Sequence, residues 1–346
     1  MENPAAEIKL SICIPTYNRA RFIPETLESI ISQASDNVEI VIVDGASTDN
    51  TALIVEDYRK KFRNLVYFRS EKNMGVDRDM AKTIELARGQ YCWMFSDDDL
   101  LKPGAIKTIL KEIESGYEIY LCNITACNLK MSPYKEMSWL SAKIKDRVFN
   151  LQNRKEFKLY CDNANSIGAL FSYMSSIILR RQEWNISGFN QDFQATAYAL
   201  ASSLISFTKR RCRLKYLKSS WVFWRNDNES FQISGGLVKR FLLDFDGYLK
   251  LADKYFADDE NLKKSFLKVM TREHPWYTVV HAASLIDDRQ LWLQFKNKLI
   301  AFGYSPVMVE FCRFWSRNQD LVEMTVKLKR KLVRSGIYLW LNDKII

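Results

Sequence analysis

The chain has 346 residues, 47% of them hydrophobic and 27% charged, with only 12 Gly and 7 Pro. Those proportions suit one large or two ordinary globular domains and exclude a collagenous, low-complexity or largely disordered chain. Lys and Arg number 51 against 41 Asp and Glu, a net charge of +10; a solvated basic surface or an anionic membrane face accommodates it, and without a helix-turn-helix, zinc-finger or RNP-type signature nucleic acid is not expected as a partner.

Taken in order, the first ~115 residues alternate strand and helix signals, the pattern of βαβ units around a mainly parallel sheet. Lys9 to Pro15 reads as a strand, Arg21 to Gln33 as a helix, and Val38 to Val43 as a strand buried on both faces. Asp44 to Asp49 is a turn that caps a helix from Asn50 to about Phe62; Leu65 to Phe68 is a short strand. Asp77 to Ala87 reads as a helix, Tyr91 to Phe95 as a strand, and Pro103 as the first residue of a helix reaching Glu114. Ile119 to Thr125 and Met174 to Leu179 are further strands, with a less regular stretch at 130–160 between them. Ala195 to Ser206 reads as a helix, Arg213 to Leu217 and Trp221 to Trp224 as two strands around a turn, and everything from Gly236 as helical. The expected division is 1–235, in halves of about 8–120 and 121–235, and a helical region at 236–346.

No apolar run approaches the ~18 residues of a transmembrane helix, and Met1-Glu2-Asn3-Pro4 lacks the features of a signal peptide. A cytoplasmic protein is therefore expected. The seven Cys are scattered, with only two His and no zinc-finger spacing, so they read as reduced, buried thiols. His274 and His281, seven apart, would share one helix face in a packing role.

The run Asp97-Asp98-Asp99 follows the apolar Tyr91 to Phe95. Three anions at a strand end raise one another's pKa unless a cation sits among them. A hard divalent cation shared with phosphate oxygens fits that need, at the strand edge where α/β sheets bind ligands; an Asp-rich turn or helix cap is the plainer account.

Four segments stand in order within the first 100 residues: Ile12-Cys13-Ile14-Pro15-Thr16-Tyr17-Asn18-Arg19, Ile42-Val43-Asp44-Gly45-Ala46-Ser47-Thr48-Asp49, Asn73-Met74-Gly75-Val76-Asp77-Arg78-Asp79, and Phe95-Ser96-Asp97-Asp98-Asp99-Leu100. Together they resemble the family-2 glycosyltransferases of the GT-A fold, and the stretch from Gly75 to Leu101 is most similar to the abequosyltransferase-like branch that builds O-antigen and other surface polysaccharides. The resemblance implies a Rossmann-like sheet flanked by helices. It also implies inverting transfer of a sugar from a nucleotide diphosphate donor, aided by Mg²⁺ or Mn²⁺, to a glycan acceptor carried on a polyprenyl diphosphate lipid. Pro15, Thr16, Tyr17, Arg19, Asp44, Asn73, Gly75, Arg78, Asp97, Asp98, Arg225 and Asn228 are the implied donor-binding residues, with Asp99 and Asp97 on the metal. The family often carries Asp-Asp-Gly-Ser where this chain has Asp44-Gly45-Ala46-Ser47, one carboxylate fewer.

Inversion needs a carboxylate base downstream. Asp192 in Gly188-Phe189-Asn190-Gln191-Asp192-Phe193 is the first candidate, with Glu183 and Asp162 as alternatives. Arg225, in Trp221-Val222-Phe223-Trp224-Arg225-Asn226-Asp227-Asn228-Glu229-Ser230, would sit on a loop closing over the diphosphate or in a plain hairpin turn. Trp221 and Trp224 are either a sugar platform or core. Val326 to Arg334, followed by Ile337 to Leu341, forms a basic, apolar-backed tail that would lie on an anionic inner membrane face or pack on its own domain. Rival readings are a nucleotidyltransferase of similar sheet, which would carry a Gly-rich basic loop after strand one, and a degenerate nucleotide- or glycan-binding protein.

Overall fold

The hydrophobic runs of the N-terminal third lie side by side. Leu10–Thr16 (β1) and Val38–Asp44 (β2) are buried along their whole length and pair in parallel from Leu10↔Val38 to Thr16↔Asp44. A strand covered on both faces has no polar face to turn outward, so it takes the middle of a sheet. This arrangement comes from a computed structural model that describes residues 7–335 except 195, 227 and 229–235, with side chains described to residue 327. Helices Ile23–Ile31 (α1), Thr51–Lys61 (α2) and Val76–Leu86 (α3) alternate with β2, Leu65–Arg69 (β3) and Tyr91–Met94 (β4). The parallel block expected of this region is present in the order β3-β2-β1-β4.

Beyond it the sheet is mixed. Ile177–Arg180 (β9) runs antiparallel to both β4 and Ile119–Cys127 (β6); Arg213–Arg225 (β10) runs parallel to β6. The short Leu100–Leu101 (β5) pairs with Val222 and Phe223 of β10, closing the order β9-β6-β10-β5. Thus β1, β2, β3, β4, β6 and β10 all point one way. Their C-terminal ends, at Thr16, Asp44, Arg69, Met94, Cys127 and Arg225, share one edge with the N-terminal end of β9.

Several boundaries differ from the sequence expectation. Pro103 precedes its helix, Ala105–Ile113 (α4), whose N-cap is Gly104 at φ 80°. The expected strand at 174–179 begins as a 3₁₀ turn, Met174–Ser176, before β9. The two strands expected at 213–217 and 221–224 are one 13-residue strand. Its register against β6 slips between Leu217 and Val222, a bulge that breaks the side-chain alternation on which the two-strand reading rested. The irregular stretch at 130–160 contains Pro133–Met137 (β7), Arg147–Asn150 (β8) and the start of Arg154–Asp162 (α5).

The chain divides into two compact units: residues 1–138, 142–157 and 171–227, which carry the sheet, and 139–141, 158–170 and 228–346. The sheet-bearing unit also holds Ala199–Ser206 (α7); the second is helical, with Gly236–Phe256 (α8), Glu260–Glu273 (α9), Trp276–Ser284 (α10), Arg289–Ala301 (α11), Pro306–Ser316 (α12) and Gln319–Ser335 (α13). Phe241, Phe245, Phe295 and Phe302 stack in its core. His274 caps the end of α9 and Pro275 starts the next turn, so the two His do not share one continuous helix. His274 instead stacks on Phe241 at 4.0 Å between ring centres. Among the described residues no helix is long and apolar enough to cross a membrane.

Candidate active site

The C-terminal edge of the parallel strands gathers most of the residues singled out in the sequence. The β1 and β2 loops are sewn together. Gly45 N–H donates to the Thr16 carbonyl (2.9 Å), Asn18 N–H to Ser47 Oγ (2.9 Å), and Thr48 N–H to Asn18 Oδ1 (2.7 Å). Asn18 sits at φ 55°, a left-handed conformation that Asn tolerates. Arg19 N–H donates to Thr51 Oγ1 and Ala20 N–H to Asp49 Oδ2. Tyr17 projects from this cross-linked pair of loops, 44% exposed. Pro15 is buried in β1.

Asp44 is buried and committed: Oδ1 accepts from Ser47 N–H (2.7 Å) and Oδ2 from Tyr67 O–H (2.8 Å). Asn73 Oδ1 accepts from Gly75 N–H (2.8 Å), and Gly75 takes φ 87° as the N-cap of α3. Gly is the residue for that conformation. Arg78 reaches across to the segment after α6 (Arg181–Ser187), donating to Gln191 Oε1 (2.7 Å) and Gln194 Oε1 (3.1 Å). Its guanidinium lies 5.2 Å from the centre of the Phe189 ring. Arg78 therefore fastens the segment carrying Asp192, which is itself exposed.

The acidic run lies between β4 and β5, held on every side. Thr26 Oγ1 of α1 donates to the Asp99 carbonyl (2.9 Å). Asp99 Oδ2 accepts from Tyr173 O–H (2.5 Å) and Ser175 O–H (2.6 Å), and Oδ1 from Arg225 N–H (3.1 Å). Asp97 Oδ1 faces Arg19 Nε at 3.3 Å. The Thr16 hydroxyl, buried with no hydrogen bond by geometry, still lies near enough to favour the ionised Asp97. Asp98 accepts from the Ser96 hydroxyl (2.5 Å).

All three carboxylates are buried, at 6%, 8% and 1% exposure. Burial, and next the charge of Asp98, push Asp97 and Asp99 up to about 7. Arg19 opposes the rise at Asp97; the Ser175, Tyr173 and Arg225 donors oppose it at Asp99. The same sheet supplies an internal control. Glu118, also buried, accepts from Arg213 through both oxygens; burial raises its pKa, but Arg213 and Arg211 outweigh that and hold it below the usual value. Glu118 is met by two guanidinium groups, whereas Asp97 meets that of Arg19 and Asp99 is met by the Tyr173, Ser175 and backbone donors, so the pair together is short of positive charge.

Arg225 is placed differently from the expected mobile loop. Its side chain is 3% exposed. Nε donates to the Asp98 carbonyl (2.9 Å), one terminal nitrogen to the Leu129 carbonyl (2.7 Å) and the other to Glu25 (2.6 Å). Trp224 meets Tyr173 edge-on at 5.8 Å, which puts it beside the acidic run. Asn228 is half-buried beyond β10; Asp227, Glu229 and Ser230 lie outside the described residues, as does the apolar end of the tail, Ile337 to Leu341.

Glu183 is a correction to the sequence reading. Because β9 is antiparallel, Arg180 pairs with Tyr91 at the start of β4, and Glu183 comes after it at the edge opposite Asp97. At ~3.3 Å per strand residue that separation is roughly 20 Å, too far for one carboxylate to serve the other's substrate. Asp162 ends α5 in an ion pair with Lys158 at 2.7 Å. Sequence reasoning missed Glu25, Thr26, Tyr173, Ser175 and Asp79, which reach this edge through the fold. Only Asp79 lay within a quoted motif.

Comparison with known proteins accords with this edge. The family model described as Glycosyl transferase family 2 matches residues 11–180. An abequosyltransferase of Salmonella typhimurium, RfbV, is 35% identical over 281 residues, covering 79% of this chain and 84% of that protein. A GalNAc(5)-diNAcBac-PP-undecaprenol beta-1,3-glucosyltransferase of Campylobacter jejuni is 29% identical over 74% of this chain and 79% of its own. Among solved structures, S. aureus TarS 1–349 in complex with UDP-GlcNAc superposes with a TM-score of 0.62 at 18% identity, covering 95% of this chain and 92% of that one, a likeness of fold. With that much of the chain aligned to RfbV and the four motifs on one sheet edge, this protein belongs to the family-2 glycosyltransferases and is a glycosyltransferase.

Proposed function

We propose that the enzyme moves a sugar from a nucleotide diphosphate donor, with inversion and with a divalent metal, to a lipid-linked glycan in the synthesis of a bacterial surface polysaccharide. The observation that carries this reading is the pair Asp97 and Asp99, buried and short of positive charge beside the cross-linked β1 and β2 loops. The residues fit a hard cation. A carboxylate offers about four lone-pair positions. Asp99 has three of them taken by donors and Asp97 faces one guanidinium, so each keeps an oxygen position for a metal whose other ligands are phosphate and water oxygens. When bound, Mg²⁺ or Mn²⁺ supplies charge neutralisation for the leaving diphosphate.

The chain's own groups do the rest. Arg19, between Asp97 and the β1 loop, and Tyr17, at the loop's tip, hold the nucleotide; Asn73 and Gly75 shape its far wall. Arg225 and Glu25 keep the acidic run in place. Asp192, steadied through Arg78, takes the proton of the acceptor hydroxyl as its oxygen bonds to the anomeric carbon and the carbon–oxygen bond to the diphosphate breaks. Residues 1–235 carry this chemistry, and 236–346, with the basic segment from Val326, hold the enzyme on the cytoplasmic face of an anionic bilayer. The lipid-linked acceptor rests on the likeness to the Campylobacter enzyme, whose name includes an undecaprenol-linked glycan.

Three variants test the scheme. Asp99→Asn should abolish metal-dependent nucleotide binding. Asp192→Asn should lower turnover at least about a hundredfold, the usual contribution of a general base, with nucleotide affinity unchanged. Glu183→Gln, at the far edge, should match wild type. Full turnover in Asp192→Asn would remove that residue from the mechanism.

A further inference from the structure

Asp79, in the first turn of α3, is a further buried carboxylate of the active-site edge, as is Asp77. Asp79 is 4% exposed; its backbone N–H donates to the Gly75 carbonyl, yet no hydrogen bond or ion pair joins its carboxyl group to the described residues. Its oxygen lies over Gly45: a Cβ built on Gly45 would stand 2.5 Å from Asp79 Oδ2 and 3.7 Å from Asn73 Oδ1. Gly45 in turn is bonded to the Thr16 carbonyl, one residue before Tyr17. Asp44 is the charge beside it, and both Asp44 oxygens are already engaged by Ser47 and Tyr67. Burial and then the Asp44 charge raise Asp79 to about 6.

The Asp79 oxygens are not among the fully enclosed unpartnered atoms of the described residues, as Thr16 Oγ1 is, so the carboxyl keeps a side within reach of a ligand, and a largely buried group short of donors costs up to about 1–3 kcal/mol. Glu39 shows the contrast. Fully buried, it accepts from the Ser11 hydroxyl, from Arg88 and from Gly89. Among the described residues no donor plays those parts for the Asp79 carboxyl, and Gly45, lacking a Cβ, lets Oδ2 sit against the β2 turn, whose Gly45 N–H is bonded to the β1 loop at Thr16. A partner that is not part of the chain and that brings an N–H would complete it.

We propose that Asp79 accepts a hydrogen bond from the ring edge of the donor's nucleobase and so sets which base the enzyme takes. This rests on the nucleotide-sugar reading above and assigns the choice of base to Asp79, leaving Asp44 as the brace of the β2 turn. A site built to hydrogen-bond a particular edge rejects the edge that cannot comply, so the signature is lost discrimination rather than a uniform loss of affinity. Two variants reach it differently. Asp79→Ala removes the acceptor. Gly45→Ala keeps Asp79 but displaces its carboxyl tip, the flexible end of a side chain, at a residue outside the left-handed region.

The test is calorimetric titration of the full chain with UDP, CDP, GDP and dTDP in the presence of Mn²⁺. Wild type should prefer one base. In both variants the ratio of its affinity to the next best should fall by about tenfold or more, the worth of one hydrogen bond to a charged group, while the diphosphate's contribution remains. Weakening of all four nucleotides by the same factor, in folded variants, would make Asp79 a structural residue and overturn the proposal while leaving the nucleotide-sugar reading intact. Absence of binding by any nucleotide to wild type would overturn both.

Discussion

Replacing Arg225 with Met separates two views of that residue. As a mobile phosphate clamp, it would contribute to donor affinity and little to folding. In the structure its side chain is 3% exposed and its donors satisfy the carbonyls of Asp98 and Leu129. Met fills much of the volume but leaves both carbonyls without those donors, at about 1–3 kcal/mol each. The Glu25 bridge adds little, since Glu25 is 57% exposed and such pairs are worth about 0–1 kcal/mol. The guanidinium also lies 5.1 Å from the centre of the Phe22 ring, worth about another 0.5–1 kcal/mol. Neighbouring losses do not add fully, so the expected destabilisation is about 3–5 kcal/mol, read by urea titration of the sheet-bearing unit. Because Arg225 N–H holds Asp99 through the backbone, that bond survives where the variant folds. A loss below about 1 kcal/mol, together with a large drop in nucleotide affinity, would refute the buried-brace view.

The acidic run and the tail give two further expected outcomes. Asp97 and Asp99 titrate near 7 in the folded chain against an ordinary 3.8; each therefore binds its proton more tightly when folded, and its contribution to stability is present below about pH 4 and is lost as pH rises to about 7, at up to ~1.4 kcal/mol per pH unit per group. Mn²⁺ should offset that loss and bind more tightly as pH rises through 7, releasing protons; thermal melts at pH 5 and 8 with equal Mn²⁺ stabilisation would contradict the metal assignment. Deleting residues 326–346 should weaken binding to anionic liposomes at low salt, each basic residue near the surface contributing about 1 kcal/mol; unchanged binding would place the membrane contact elsewhere.

The edge on which the motifs meet is legible in the sequence alone, because it depends only on local patterns. Val38 to Val43 has no polar face, so it has to be a central strand, and the loop leaving a central parallel strand lies at that strand's C-terminal end. The acidic run Asp97 to Asp99 is found for that reason; Asp44 and the Asn73–Gly75 turn are found through the resemblance to the family-2 glycosyltransferases. The break at His274 and Pro275 is not part of the sequence expectation, which sets both His on one helix face; Pro275 stands between the end of one helix and the start of the next. Other features depend on partners far away in the chain. Tyr173 and Ser175 reach Asp99 only because β9 enters the sheet backwards between β4 and β6, and that same reversal carries Glu183 to the opposite edge. Arg225 is a brace because the bulge in β10 carries it onto Asp98 and Leu129. The Asp79 carboxyl is unpartnered among the described residues because Gly45, from another turn, approaches it and offers nothing. Periodicity and motif spacing report which way a segment faces; whether a buried charge is answered depends on which distant residue the sheet brings against it, and only the tertiary structure decides that.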